Sequence, residues 1–215
     1  MSETSEKRSF EQAAARWDEK PRRVQLAGDV AEAVKKQVPL NRDMDMLDFG
    51  CGTGLLTLAL QPLVGSVTGV DSSPAMLEML EKKIKEMAID NVQTRLLDID
   101  KGEQLSGRFD LVVSSMTLHH IPDIDHLIRQ FCRVLKPGGH LALADLDKEG
   151  GRFHEDNHGV FHFGFNRQQL SARLNDAGFI DIRAETAAKL TKTEAGPPHE
   201  SFSVFLISGV YSNGR

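Results

Sequence analysis

The chain has 215 residues, enough to bury a core without a disulfide or metal staple. Its 26 basic and 31 acidic residues leave a formal charge of −5, which argues against a surface built to coat nucleic acid. Cys51 and Cys132, far apart in sequence, exclude a disulfide-stapled scaffold. The polar first twenty residues carry no signal peptide, and the longest apolar stretch, Leu55 to Val64, is broken by Gln61 and Pro62, so no membrane insertion is expected and the expected location is cytoplasmic.

Along the chain, residues 1–8 are expected to fray. Phe10 to Trp17 reads as a short alanine-rich helix. Arg22 to Val38 reads as a longer one, with Val24, Ala27, Val30, Ala31 and Val34 forming an apolar stripe, and Pro39 stops it. Beyond Pro39 short apolar runs alternate with helical ones. Strands are expected at Met44–Phe49, Ser66–Val70, Val92–Leu97, Phe109–Ser114 and His140–Leu146, with helices at Leu55–Leu60, Pro74–Met87 and Ile124–Val134. That alternation reads as βαβ units around a parallel sheet. Asn166 caps a helix to Ala177. Strands Ile180–Thr186 and Phe202–Ile207 then follow with no helix between them, joined by a loop with Gly196, Pro197 and Pro198, so they should pair antiparallel. The fold class is α/β: a Rossmann-like, mostly parallel sheet with helices on both faces, forming a single domain. Its parts are a helical cap over residues 1–39, a core over 40–147, a lid over 148–165 and a closing helix and strand pair over 166–215.

The chemistry-bearing signal is LDFGCGTG, Leu47 to Gly54, between a strand and a helix. Its glycines permit a tight turn and close backbone approach to a ligand. A dinucleotide fold would want G-x-G-x-x-G. Here Leu55 stands in the last glycine's place, and Asp48 just before the turn would repel a pyrophosphate but attract a cationic amine. Asp71, in VTGVDSS at the second strand's end, is placed to accept from two vicinal ribose hydroxyls. Asp98, in LLDID, is placed to accept from an exocyclic amine, with Ile99 offering its backbone N–H.

These motifs, with FDLVVSSMTLHHI and VLKPGGHLALAD, resemble the class I S-adenosylmethionine-dependent methyltransferases of small-molecule type. The resemblance is strong from about Asp43 to Leu146. It implies a seven-stranded sheet with the last strand antiparallel between the fifth and sixth, and a turn at Lys136 to Gly139 before the fifth strand. S-adenosyl-L-methionine is the cofactor implied. Gly50, Cys51 and Gly52 would line its methionine part with Asp48 near the amino group. Asp71 and Ser72 would hold the ribose side, Asp98 and Ile99 the adenine, and Ser114 and Ser115 would border the sulfonium. The implied reaction is in-line methyl transfer to a small-molecule O, N or C acceptor.

His119 and His120 are the candidate bases for an acceptor that must lose a proton. In quinone O-methylating relatives an acidic residue stands where His119 is found, so a metal role of that acid does not carry over. Trp17 in the cap and His154, His158 and His162 in the lid are candidate acceptor-side residues. The fourfold recurrence of those three histidines invites a metal reading, but the surrounding glycines break any helix and the compact spacing of a structural zinc site is missing, so no metal is expected. SSMTLHH stands where amino-group nucleic-acid methyltransferases carry N/D-P-P-Y/F, so a nucleic-acid partner is not expected. Two alternatives share much of the pattern: a non-catalytic protein that binds S-adenosylmethionine or S-adenosylhomocysteine, and a nicotinamide-dependent oxidoreductase.

Overall fold

The computed structural model describes residues 10–11, 13–192 and 200–212. The Gly196–Pro198 loop and the N-terminal fraying fall outside them. A 3-10 stretch, Ala14–Glu19, leads into α1 (Pro21–Gln37), where Pro21 occupies the first turn and Val38 turns extended. The stripe of α1 is rotated from the expected one. Leu26, Val30, Ala31, Ala33 and Val34 are buried, whereas Val24 is 46% exposed. The short apolar side chains around this helix define two nearly equivalent stripes, and packing on the sheet selects between them.

Seven strands form one sheet in the order β3-β2-β1-β4-β5-β7-β6. They are β1 (Asp45–Phe49), β2 (Ser66–Asp71), β3 (Val92–Leu96), β4 (Phe109–Ser115), β5 (Leu135–Leu146), β6 (Phe179–Lys192) and β7 (Glu200–Tyr211). The first five are parallel, and β7 runs antiparallel between β5 and β6. Helices α2 (Leu55–Leu60), α3 (Pro74–Glu86) and α4 (Ile124–Val134) connect the parallel strands, and α5 (Arg167–Asp176) precedes β6. The sheet is thus the one expected, with longer closing strands.

One element differs. The expected Lys136–Gly139 turn lies within β5, which begins at Leu135, with Gly138 at φ +79° and an irregular register against β4 between Phe109 and Leu111. The glycine pair bends the strand rather than interrupting it.

Leu111, Val112 and Val113 of β4 are all fully buried because both sheet faces are covered. One face packs on α4 and α5 through Leu127, Phe131, Leu170 and Leu174, and the other on α1 and α2 through Val30, Val34, Leu56 and Leu60. Parallel strands end on the same side. The segments after β1, β2, β4 and β5 therefore converge at one sheet edge, where open α/β sheets bind ligands.

Candidate functional site

The turn after β1 is stitched to β2. The N–H groups of Gly50 and Cys51 both donate to the Val70 carbonyl, at 2.8 and 3.0 Å. Gly50 sits at φ +72°, and a Cβ there would lie 2.2 Å from Thr117 Oγ1, so only glycine fits between the turn and the segment after β4. Gly52 differs, since a Cβ there would meet nothing within 4 Å; open space adjoins its backbone. Its N–H donates to Asp71 Oδ2 at 2.8 Å, while Asp71 Oδ1 accepts from Ser73 N at 2.9 Å. The carboxylate plane is thereby fixed, and each oxygen keeps a second accepting direction.

Two carboxyl groups share this corner in poorly hydrated surroundings. Asp48, only 1% exposed, accepts from Thr57 Oγ1 at 2.5 Å. Burial, with a smaller contribution from the Asp71 charge, pushes its pKa up to about 7. Burial also raises the pKa of Asp71, against the hydrogen bonds from Ser73 and Gly52. Both groups would gain from a cation placed between them. The Cys51 thiol is pushed well up by burial and by the neighbouring Asp48 and Asp71 charges, which removes it as a nucleophile at neutral pH.

The N-terminal segment closes over this corner. Glu11 accepts from Ser73 Oγ at 2.8 Å; Asp18 accepts from Thr53 Oγ1 at 2.6 Å and pairs with Lys83, whose Nζ also donates to the Thr53 carbonyl at 2.7 Å. Trp17 is held by Arg23, whose guanidinium lies 3.5 Å from its ring centroid, and the Phe10 ring lies 5.3 Å edge-on to His120. Trp17 is therefore packed within the cap, and Phe10 is the ring of this segment that reaches His120.

Of the other expected cofactor residues, Ser114 is buried and its hydroxyl donates to the Phe49 carbonyl at 2.8 Å, tying β4 to β1. The Ser115 carbonyl accepts from Thr117 Oγ1 at 3.1 Å. Ser72 is exposed beside Asp71. Asp98 caps the turn Ile99–Lys101 by accepting from Asp100 N, and pairs with Lys101 at 3.5 Å.

On the far side of the turn, His119 and His120 sit on a 3-10 turn after β4. His119 is 1% exposed, and its Nδ1 lies 2.8 Å from Oδ1 of the fully buried Asp145 at the end of β5. The Asp145 carboxylate also accepts from His119 N and Leu146 N. His120 Nδ1 lies 3.0 Å from the Gly159 carbonyl. A carbonyl only accepts, so Nδ1 carries the proton there.

Of the three lid histidines, only His154 joins this pair. Its ring centroid lies 5.0 Å from that of His119 and 5.7 Å from that of His120. Burial, reinforced by His119 and His120, lowers its pKa to about 4. His158 is exposed, and the His162 Nε2 donates to the Ile121 carbonyl at 3.0 Å while its ring packs on Phe165. The fourfold spacing therefore does not bring the three together, because the segment is a series of turns with Gly150, Gly151, Gly159 and Gly164 at positive φ. Phe161 and Phe163 are 55% and 46% exposed, while Phe153 packs on Phe202 and Phe165 on Phe205.

Sequence reasoning passed over Asp145, Glu149, Thr57 and Glu11. Asp145 was legible in principle: it ends the strand that pairs with the His119 strand, so both had to emerge at the same edge. The partners of Glu149, a nearly buried carboxylate accepting from the backbone N–H groups of Gly151, Arg152 and Phe153, depend on loop geometry that no periodicity encodes.

Residues 20–184 match the model of the methyltransferase domain. The chain belongs to that family. An uncharacterized methyltransferase of Schizosaccharomyces pombe is 37% identical over 157 residues, covering 64% of this chain and 55% of its own length. The 27-O-demethylrifamycin SV methyltransferase of Amycolatopsis mediterranei is 28% identical over 188 residues, 82% of this chain and 69% of its own. A ubiquinone biosynthesis O-methyltransferase of Coxiella burnetii is 30% identical over 115 residues, 54% of this chain and 48% of its own. The chain thus spans about half to two-thirds of the length of these relatives. Among solved structures, a chain from the complex between the Haloferax volcanii Trm112 methyltransferase activator and the putative methyltransferase superposes with a TM-score of 0.74 at 20% identity, covering 94% of this chain and 96% of that one. The YcgJ protein from Bacillus subtilis superposes at 0.68 with 18% identity, covering 86% and 99%. At such identities the likeness speaks for the fold alone.

Proposed function

We propose that this methyltransferase-family chain transfers a methyl group from S-adenosylmethionine to a hydroxyl-bearing small molecule by in-line displacement. The observation that carries the reading is the pair of carboxyl groups, buried Asp48 and half-buried Asp71, flanking a glycine turn with open space beside Gly52. A cationic amino-acid tail and a ribose diol satisfy both. Bound there, the cofactor supplies a methyl group on a sulfonium that is already a good leaving group.

In this reading Gly50, Cys51 and Gly52 line the methionine tail and Asp48 faces its ammonium. Asp71, with Ser72 beside it, takes the ribose hydroxyls in the accepting directions left by Gly52 and Ser73. Asp98 and Ile99 take the adenine edge, and Ser114 and Ser115 border the reacting methyl. The protein's main work is alignment and water exclusion, worth roughly 7–11 kcal/mol in favourable cases. The described residues between 10 and 39 act as a cap and residues 148–165 as a lid.

His119 accepts the acceptor's proton. Asp145 fixes the Nδ1–H and leaves the lone pair on Nε2. A proton acceptor is of use to a hydroxyl nucleophile, and two relatives carry O-methylation in their names. No described helix is long and apolar enough to cross a membrane.

Calorimetric titration with S-adenosylmethionine, S-adenosylhomocysteine and NADH, followed by labelled methyl transfer to a panel of phenols and alcohols, tests this. Binding of NADH without S-adenosylmethionine overturns the cofactor. Tight cofactor binding without transfer to any acceptor favours a non-catalytic binding protein.

A further inference from the structure

We infer that His119, His120 and His154 form a binding site for one divalent transition-metal cation of the zinc class, with a fourth position open to water or acceptor oxygen. The inference deepens the proposed methyl transfer by naming how the acceptor is activated, and so rests on that reading.

One ring nitrogen from each histidine lies within 4.8 Å of the others. Their tautomers suit a metal. In His119 and His120 the Nδ1–H is directed to Asp145 and to the Gly159 carbonyl, which puts the lone pair on Nε2 in both rings. A ligating histidine whose second nitrogen donates to a carboxylate or backbone carbonyl is the usual outer shell of a zinc site. His154 Nε2 is buried without a hydrogen-bond partner. A buried imidazole nitrogen left unmatched is costly, and a cation between the rings would satisfy it.

The loop that delivers His154 is held with unusual care for a surface segment. The Glu149 carboxylate accepts from three successive backbone N–H groups and Arg152 Nε donates to the Glu149 carbonyl, fixing the turn that ends at His154. Nothing in the packing of Phe153 on Phe202 requires the next residue to be a histidine.

Three protein nitrogens with one open position describe a catalytic rather than a structural zinc site. Tetrahedral coordination at about 2.0–2.1 Å places ligand nitrogens roughly 3.4 Å apart, so the three rings must draw together by small side-chain rotations on their fixed turns. A resting ion carries hydroxide. An acceptor hydroxyl would give its proton to that hydroxide, which leaves as water. The acceptor oxygen then bonds to the ion and afterwards forms its bond to the methyl group as its bond to the metal breaks. With the ion bound, His119 is a ligand and the hydroxide takes the proton assigned above to its Nε2.

The test uses the untagged full chain, stripped with chelator and titrated with Zn²⁺ or Co²⁺ alone in competition with a chromophoric chelator. One equivalent should bind, with Co²⁺ giving the visible absorption of a four-coordinate site. His154→Ala and His154→Gln should each weaken binding about 100-fold, and Asp145→Asn by roughly 10- to 100-fold. His158→Ala should bind as the parent does. Equal affinity in the parent and both His154 variants, or an equal loss in His158→Ala, overturns the site. Titration with S-adenosylmethionine in the absence of metal is scored separately. Cofactor binding without metal binding fails this inference alone, and metal binding without cofactor binding fails the methyl-transfer reading alone.

Discussion

Replacing Asp48 by asparagine should stabilise the cofactor-free protein while weakening its hold on the cofactor. Asp48 is 1% exposed, and its pKa rises from an ordinary 3.8 to about 7. A folded-state pKa above the unfolded value means that the fold prefers the protonated form. The associated stability is fully present below about pH 4 and is lost progressively as pH climbs to about 7. The whole shift corresponds to about 4 kcal/mol, of which about 1.6 kcal/mol is already lost at pH 5. Asparagine keeps the shape and an acceptor for Thr57, but its amide N–H groups bring a cost of their own, on the order of 1–3 kcal/mol if unmet. That cost does not titrate. The stability difference between Asp48→Asn and the parent should therefore grow in the variant's favour by about 2–3 kcal/mol between pH 5 and pH 8. Urea denaturation at both pH values, without cofactor, measures it. By the same linkage, the parent's affinity for S-adenosylmethionine should decline as pH drops below about 7, because the protonated carboxyl no longer attracts an ammonium. A stability difference that stays constant across this interval would refute the reasoning: the carboxyl would then be hydrated and ionised at both pH values, and no poorly solvated charge would be waiting in the turn.

Asp71→Ala should weaken S-adenosylmethionine binding by about 1–3 kcal/mol in calorimetry, and an unchanged dissociation constant would mean the ribose lies elsewhere. Gly50→Ala forces a methyl group to within 2.2 Å of Thr117 Oγ1 at φ +72°, so it should lower the melting temperature, with partial recovery when Thr117 is also made alanine. His119→Asn should reduce turnover of a hydroxyl acceptor by about 10²- to 10⁴-fold while leaving cofactor affinity intact, and equal losses in both would point to collapse of the Asp145 pocket instead.

The alternation of parallel strands and helices and the glycine-turn corner were readable before any coordinates, and the family resemblance implied the strand order. Apolar runs such as FDLVVSS and LALADL are long because both sheet faces are covered, and the missing crossover helix before β7 forces antiparallel pairing. Asp48, Gly50 and Asp71 were legible for a related reason. They lie at or next to strand ends, and the ends of parallel strands converge at a single edge. The histidines after position 150 were legible only as a group on one glycine-rich segment. The glycines already argued against a shared helical face, and only the loop path shows that His154 meets His119 and His120 while His158 faces solvent and His162 turns onto Ile121.

The amino-acid sequence alone determined the run of strands and helices, because hydrophobic period and turn chemistry are local properties that survive being read one residue at a time, and the resemblance of its motifs implied the winding of the sheet and the family. Tertiary structure alone decided which polar side chains meet. The contact of His119 with Asp145, the approach of His154 to both neighbouring imidazoles, and the closing of Glu11 and Asp18 over the glycine turn join residues 26 to 62 positions apart. Such contacts are fixed by strand adjacency and loop path, and neither leaves a periodic trace in the chain.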